Sequence, residues 1–162
     1  MMLPFAGMPI EIENLAALRS RLGGELAVSD WLDVTQERIG AFAEATLDRQ
    51  WIHVDPERAA RELPGKATIA HGFLTLSLLS ALARQALAFP ALRMAINYGV
   101  NRVRFVTPVP AGSRIRGRFS PIALEELDGG GVQVTWKVVV EREGGGEKPC
   151  CVADWLVRYF ER

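Results

Sequence analysis

Between Gly72 and about Ala88 the chain carries ten apolar residues, Phe73, Leu74, Leu76, Leu78, Leu79, Ala81, Leu82, Ala83, Ala86 and Leu87, and one charge, Arg84. A run that is apolar on nearly every side predicts a helix buried on most of its circumference. It is too short to cross a bilayer. Pro90 closes it. Everything after it changes period. Met94, Ile96, Tyr98 and Val100 alternate with smaller or polar residues, and Val103 and Phe105 follow. Ile115, Gly117 and Phe119 alternate with Arg114, Arg116 and Arg118. Val132, Val134, Trp136, Val138 and Val140 form a third set, and Cys151, Ala153, Trp155, Val157 and Tyr159 a fourth. Turns are expected at Thr107 to Gly112, at Asp128 to Gly131 and at Gly144 to Gly146. Long antiparallel strands after one apolar helix imply an α+β layout, with a sheet wrapped around that helix.

The elements before the helix are shorter. Ile12, Leu15, Leu18 and Leu22 recur at helical spacing, which predicts an amphipathic helix over 11–22 that stops at Gly23-Gly24. Trp31 to Val34 reads as a short extended segment. Thr35 is placed to cap a helix with Glu37 in its first turn and Ile39, Phe42 and Ala43 on one face, ending near Ala45. Residues 46–54 have no clear period. Asp55-Pro56-Glu57 starts another short helix, with Asp as cap and Pro in the first position. Leu63 to Lys66 is a loop. No repeat or linker divides the 162 residues, so we expect a single domain over 1–162, with 1–25 as an N-terminal helical extension.

Charge and rare residues narrow the chemistry. Nineteen basic residues balance nineteen acidic ones, so no electrostatic argument favours nucleic acid or an anionic membrane as partner. The two cysteines, Cys150 and Cys151, are adjacent and imply no disulfide framework. Met1 to Met8 lacks a basic stretch and is not read as a signal peptide; a reducing, cytoplasmic setting is expected. Two histidines and two adjacent cysteines do not make a usual zinc site, so no metal is expected. The glycine triplets lack the Lys-Ser/Thr of a phosphate loop, and no Gly-x-Ser-x-Gly elbow appears.

Two segments stand out against this background. Thr46-Leu47-Asp48-Arg49-Gln50-Trp51-Ile52-His53 brings a carboxylate and an imidazole together on irregular chain. Ile69-Ala70-His71-Gly72-Phe73 puts a glycine at the head of the apolar helix, where free backbone N–H groups face a developing negative charge. With Ile96-Asn97-Tyr98-Gly99 and Arg102 to Gly112, these segments resemble the MaoC-like (R)-specific enoyl-CoA hydratases. They are most similar to the branch that includes NodN-like proteins and the mycobacterial (R)-3-hydroxyacyl-thioester dehydratases. The resemblance covers about residues 30–160. It implies a hot dog fold, a homodimer, and reversible addition of water to an enoyl thioester of coenzyme A or acyl carrier protein. No cofactor is implied beyond the coenzyme A of the substrate.

The family signature usually reads Asp, any residue, Asn, Pro, any residue, His. Asp48 and His53 keep their places, while Gln50 and Trp51 stand where Asn and Pro are usual. The resemblance therefore implies Asp48 and His53 as catalytic acid and base, the Gly72 N–H as oxyanion donor, and Ser80 as the family's helix serine. Gln50 carries the functional groups of the usual Asn on a longer stem. Histidine takes up a proton near neutrality, whereas Asp48 needs partial burial to act as an acid.

Other readings stay open residue by residue. His71 is expected to be structural, bonding backbone near the helix start. Ser77 and Ser80 either bond the carbonyl four residues back or, for Ser80, orient Asp48. Trp51 either walls an acyl tunnel or belongs to the core. Arg114, Arg116 and Arg118 are expected on a solvated face rather than at the phosphates of coenzyme A; Arg102 and Arg104 are read with the same caution. Two alternatives to a hydratase remain, an acyl-CoA thioesterase on the same fold and a non-catalytic acyl-thioester binding protein.

Overall fold

The computed structural model describes residues 7–162; Met1 to Ala6, which carry most of the signal-peptide reading, lie outside them. Asn14, not Glu11, starts the first helix. Ile10–Glu11 instead forms a short strand (β1), and the Asn14 side chain accepts from the Ala17 N–H at 2.9 Å to begin α1, Leu15–Arg19. Side-chain capping by Asn competes with continued helix upstream, which is why the expected helix is shorter. Ala27–Val28 (β2) and Leu32–Val34 (β3) follow. Thr35 caps α2, Gln36–Thr46, by accepting from the Arg38 N–H at 3.1 Å, and Ile39 and Ala43 are buried as the spacing requires. The aperiodic stretch ends in a single turn, α3, Trp51–Val54. Asp55 then accepts from the Arg58 N–H at 2.9 Å and starts α4, Pro56–Glu62.

The apolar run forms α5, Gly72–Ser77, and α6, Leu79–Ala86, which meet at Leu78. It is less enclosed than its composition suggests. Leu74, Leu78, Leu79, Leu82 and Ala86 are buried, but Phe73 is 67% exposed. The sheet covers one side only, so the rod is buried along one face within a single chain. Ser77 takes the bland option and donates to the Phe73 carbonyl at 2.7 Å.

Leu87–Ala88 (β4) pairs in parallel with β1, outside the main sheet. The main sheet contains β5, Leu92–Phe105; β6, Ser113–Glu126; β7, Val132–Arg142; and β8, Cys151–Glu161. Its order is β2-β6-β7-β8-β5, with β3 also paired to β6. Along β8 buried and half-buried residues alternate, as the period of two demands. The inward residues Ile115, Phe119, Val134, Trp136 and Val138 pack on α6 in one core. Trp136 is fully buried, and its Nε1–H donates to the Tyr159 hydroxyl at 3.0 Å. The α+β layout expected from the sequence is the one observed. Strand β5 ends the sheet, with one edge unpaired among the described residues.

Among the described residues, no helix is long and apolar enough to cross a membrane. On β6, Arg114 pairs with Glu143, Arg116 with Glu141, and Arg118 with Glu141 and Glu25. Arg116 also lies over the Trp31 ring at 4.5 Å. These three guanidinium groups serve a solvated face, as expected.

Candidate active site

Helix α2 ends because Leu47 takes the left-handed conformation, φ 62°. That turn releases the chain into the short extended stretch carrying Asp48 and Gln50. The single turn α3 then points His53 inward, where it is 6% exposed. Its main chain is fixed on both sides. The Gln36 side chain at the start of α2 donates to the His53 carbonyl at 2.8 Å and accepts from the Thr68 hydroxyl. The Ile69 N–H donates to the Ile52 carbonyl at 3.0 Å, and the Ala70 N–H to the Val109 carbonyl at 2.8 Å. The strip 68–70 is thus held between α3 and the turn before β6.

That strip sets the state of His53. Its Nδ1 lies 2.6 Å from the Ile69 carbonyl. A carbonyl only accepts, so Nδ1 carries a hydrogen, and in the neutral ring the lone pair falls to Nε2. A bare Nε2 is what a general base offers. Beneath this ring lies His71, 3% exposed, stacked at 3.7 Å between centroids and 24° between planes. His71 was expected to be structural. It does bond backbone, with Nε2 2.9 Å from the Asp48 carbonyl, but it also sits inside the site. Its Nε2 is 3.9 Å from the Asp48 carboxylate. Asp48, His53 and His71 each bring a titratable atom within 4.8 Å of the other two. Spacing alone gives no sign of this stack, because Asp48 and His53 are joined by irregular chain and His71 comes from another element.

Gly72 follows directly. As the first residue of α5, its N–H has no acceptor among the described residues. A cavity of about 290 Å³ opens beside it, lined by His53, Gly72, Thr75, Phe105, Val109 and Cys150. A steric reason for glycine is also present. The space a side chain would fill is taken by Phe105, whose ring atoms would lie 2.5–2.7 Å from an added Cβ. That ring also meets Phe73 edge-on at 5.8 Å. Gly72→Ala should therefore displace Phe105 and cost about 1–3 kcal/mol in chemical denaturation. Phe105→Leu should relieve most of that cost in the double variant. Additive losses would show that the ring does not bear on Gly72.

With this geometry in view, similarity to known proteins becomes informative. Residues 18–142 match the family described as MaoC like domain. The chain is 50% identical over 147 residues to 3-hydroxyacyl-thioester dehydratase Z of Mycobacterium tuberculosis (strain ATCC 25618 / H37Rv), covering 91% of this chain and 96% of that protein. The chain belongs to the MaoC-like family. It is also 47% identical over 146 residues to Nodulation protein N of Rhizobium leguminosarum bv. viciae, covering 88% of this chain and 89% of that one. R-hydratase PhaJ1 from Pseudomonas aeruginosa shares the fold with a TM-score of 0.69 at 24% identity, over 88% of this chain and 85% of that chain. The hot dog fold is therefore that of MaoC-like proteins, and the chain is an enzyme of the hydratase and dehydratase type, a carbon–oxygen lyase.

The other residues expected at this MaoC-like site lie at varying distances from its centre. Ser80 does not hold Asp48 within the chain. Its hydroxyl accepts from Asn97 Nδ2 at 3.2 Å and lines a second cavity, between α6 and strands β5 and β8. Two helical turns separate it from Gly72, which is too far to serve both. The Gln50 side chain makes no hydrogen bond among the described residues; its main-chain carbonyl accepts from the His53 N–H at 2.9 Å. Trp51 is half-buried under Arg58, whose guanidinium lies 4.1 Å from the ring centre, and it does not line the cavity beside His53. The Asp48 side chain is 57% exposed, so the burial asked of a catalytic acid is missing from the single chain. Gln36, Ile69 and Phe105 were not anticipated. Gln36 had one signal, an amide in the first turn of a capped helix.

Proposed function

We propose that this protein adds water to trans-2-enoyl thioesters to give (R)-3-hydroxyacyl thioesters, and runs the reverse dehydration. The observation that carries this reading is His53, buried, with its Nδ1–H committed to Ile69 and a ring nitrogen within 4.8 Å of an Asp48 carboxylate oxygen. The 50% identity to a 3-hydroxyacyl-thioester dehydratase supports it. In the forward direction His53 Nε2 takes a proton from water as the oxygen bonds to C3. The C2–C3 π electrons move toward the thioester carbonyl. The Gly72 N–H stabilises that oxygen, an interaction of a kind worth about 3–4 kcal/mol. Asp48, as the acid, delivers a proton to C2, and the Ile69 carbonyl steadies the imidazolium that His53 has become; His53 then gives up its proton to solvent and Asp48 takes one back, which resets the pair. Dehydration retraces these steps. Addition of water changes no electron count, so no redox cofactor is required; coenzyme A or acyl carrier protein enters only as the substrate's thiol.

No metal is part of the proposal. Three possible ligand atoms are close, but two stacked imidazoles project their in-plane lone pairs nearly parallel rather than toward one point. The hydrogens on His53 Nδ1 and His71 Nε2 are also already committed to carbonyls.

The test is loss of the conjugated-enoyl absorbance when purified protein meets crotonyl-CoA and longer enoyl-CoA chains, with chiral analysis of the product. Thiol release from saturated acyl-CoA would instead identify a thioesterase. Tight binding without turnover at every length would identify a binding protein.

We also propose a homodimer joined along β5. The free edge of a 14-residue strand exposes Met94, Ile96, Tyr98, Val100 and Phe105, an apolar row with unpaired backbone groups. Phe105 also lines the cavity beside His53, so a second copy there would cover that wall of the site. Ile96→Lys should convert the dimer to a monomer in light scattering and lower turnover. A wild-type protein that is monomeric at micromolar concentration would refute this assembly.

A further inference from the structure

We infer that His71 is a positioning residue that holds both members of the proposed acid–base pair; this rests on the reading of Asp48 and His53 given above. Two contacts divide the task. The ring of His71 lies flat under His53 at 3.7 Å. Its Nε2–H donates to the main-chain carbonyl of Asp48 at 2.9 Å, on a stretch that has no helix or strand to hold it. One rigid side chain therefore ties the loose acid to the buried base. Phe42 backs the His71 ring from another side, 5.0 Å between centroids, so the ring itself is held in place.

The remaining nitrogen argues against a purely structural role. With Nε2 carrying its hydrogen, Nδ1 is an acceptor, and it is buried without a partner among the described residues. An unsatisfied buried polar atom costs on the order of 1–3 kcal/mol. An apolar ring of the same shape would stack as well and avoid that cost. What an apolar ring lacks is the donor to Asp48. The histidine is thus explained by its bond to the acid and its plane under the base together.

These two functions can be separated. Gln places an amide nitrogen near the position of Nε2 and so keeps the donor but loses the stack. Phe keeps the stack but loses the donor, and the exposed Asp48 carbonyl can then turn to water. Ala loses both. Steady-state hydration should show the Ala variant reduced in kcat by roughly tenfold to hundredfold, the scale of a small misplacement of reacting groups, with KM nearly unchanged. Gln and Phe should each recover part of that loss. A second readout needs no turnover. The chain has only two histidines, so each variant's imidazole spectrum contains His53 alone. The slowly exchanging Nδ1–H of His53 should persist in the Phe variant and exchange rapidly in the Ala variant.

The inference is overturned if the Ala variant keeps wild-type kcat and a protected His53 N–H. It is equally overturned if Gln, Phe and Ala lose kcat equally and in step with thermal stability. In either case, loss of turnover in Asp48→Asn and His53→Asn would leave the acid–base reading intact. Wild-type turnover in those two variants would remove both.

Discussion

Replacing His53 with asparagine should leave the protein folded and lower hydration of crotonyl-CoA by about three orders of magnitude, the range of a lost general base. Asparagine is the informative choice because its amide nitrogen falls near the position of Nδ1. The donor to the Ile69 carbonyl is kept, and the strip 68–70 stays in place. What disappears is Nε2, the atom that receives the proton from water. Asp48→Asn removes the acid while preserving shape, and on an exposed carboxylate its cost to stability should be small. Its effect should also fall on kcat. The two losses should not multiply in the double variant, because groups that act as a unit are strongly non-additive. Circular dichroism and a thermal melt would show that folding survives. Retained turnover in both single variants would dismiss the mechanism.

Local signals were legible in the sequence, and through-space ones were not. Thr35 and Asp55 cap their helices because capping depends on a few consecutive residues. The alternation of Cys151 to Tyr159 was readable for the same reason, since each residue faces opposite its neighbour. The short strand at Ile10–Glu11 was hidden because it exists only through pairing with Leu87–Ala88, far along the chain. At the site, spacing brought Asp48 and His53 together but did not reveal the tautomer of His53, which is set by Ile69 sixteen residues away. The Phe105 ring against Gly72 was not legible either, because the two positions meet only through space. For Ser80 the sequence left a back-bond and a contact to Asp48 both open, and within the chain its hydroxyl meets Asn97 instead, a partner seventeen residues away.

The largest effect on stability should come from alkaline pH. Cys150 and Cys151 are almost fully buried, 2% and 0% exposed, at the entry to β8. Burial pushes both thiols up to about 11 from an ordinary value of 9.0. Their surroundings explain this. The Cys150 thiol donates to the Val140 carbonyl at 3.2 Å, a bond a thiolate would lose, and burial outweighs the neighbouring backbone N–H groups and Arg142 that would favour the charge. The sign follows from linkage. Below about 9 both thiols are protonated, folded or not, and contribute no pH dependence. Between 9 and 11 the unfolded chain loses these protons while the native chain keeps them. Stability therefore falls with rising pH by about 1.4 kcal/mol per unit for each thiol, on the order of 5 kcal/mol for the pair by pH 11. Tyr159 shifts in the same direction, but its ordinary value is 10.0, so the interval from 9 to 10 reports mainly the cysteines. Urea titrations across that interval should show the decline, and Cys150→Ala with Cys151→Ala should flatten it. An unchanged slope in that double variant would show that the thiols are not responsible. Activity should follow stability here, because Cys150 lines the cavity beside His53 and the Cys150 carbonyl accepts from the Val106 N–H at 3.0 Å. A thiolate at that position would disturb the entry to β8 and the wall holding Phe105 over Gly72, so the site should open as the sheet edge loosens.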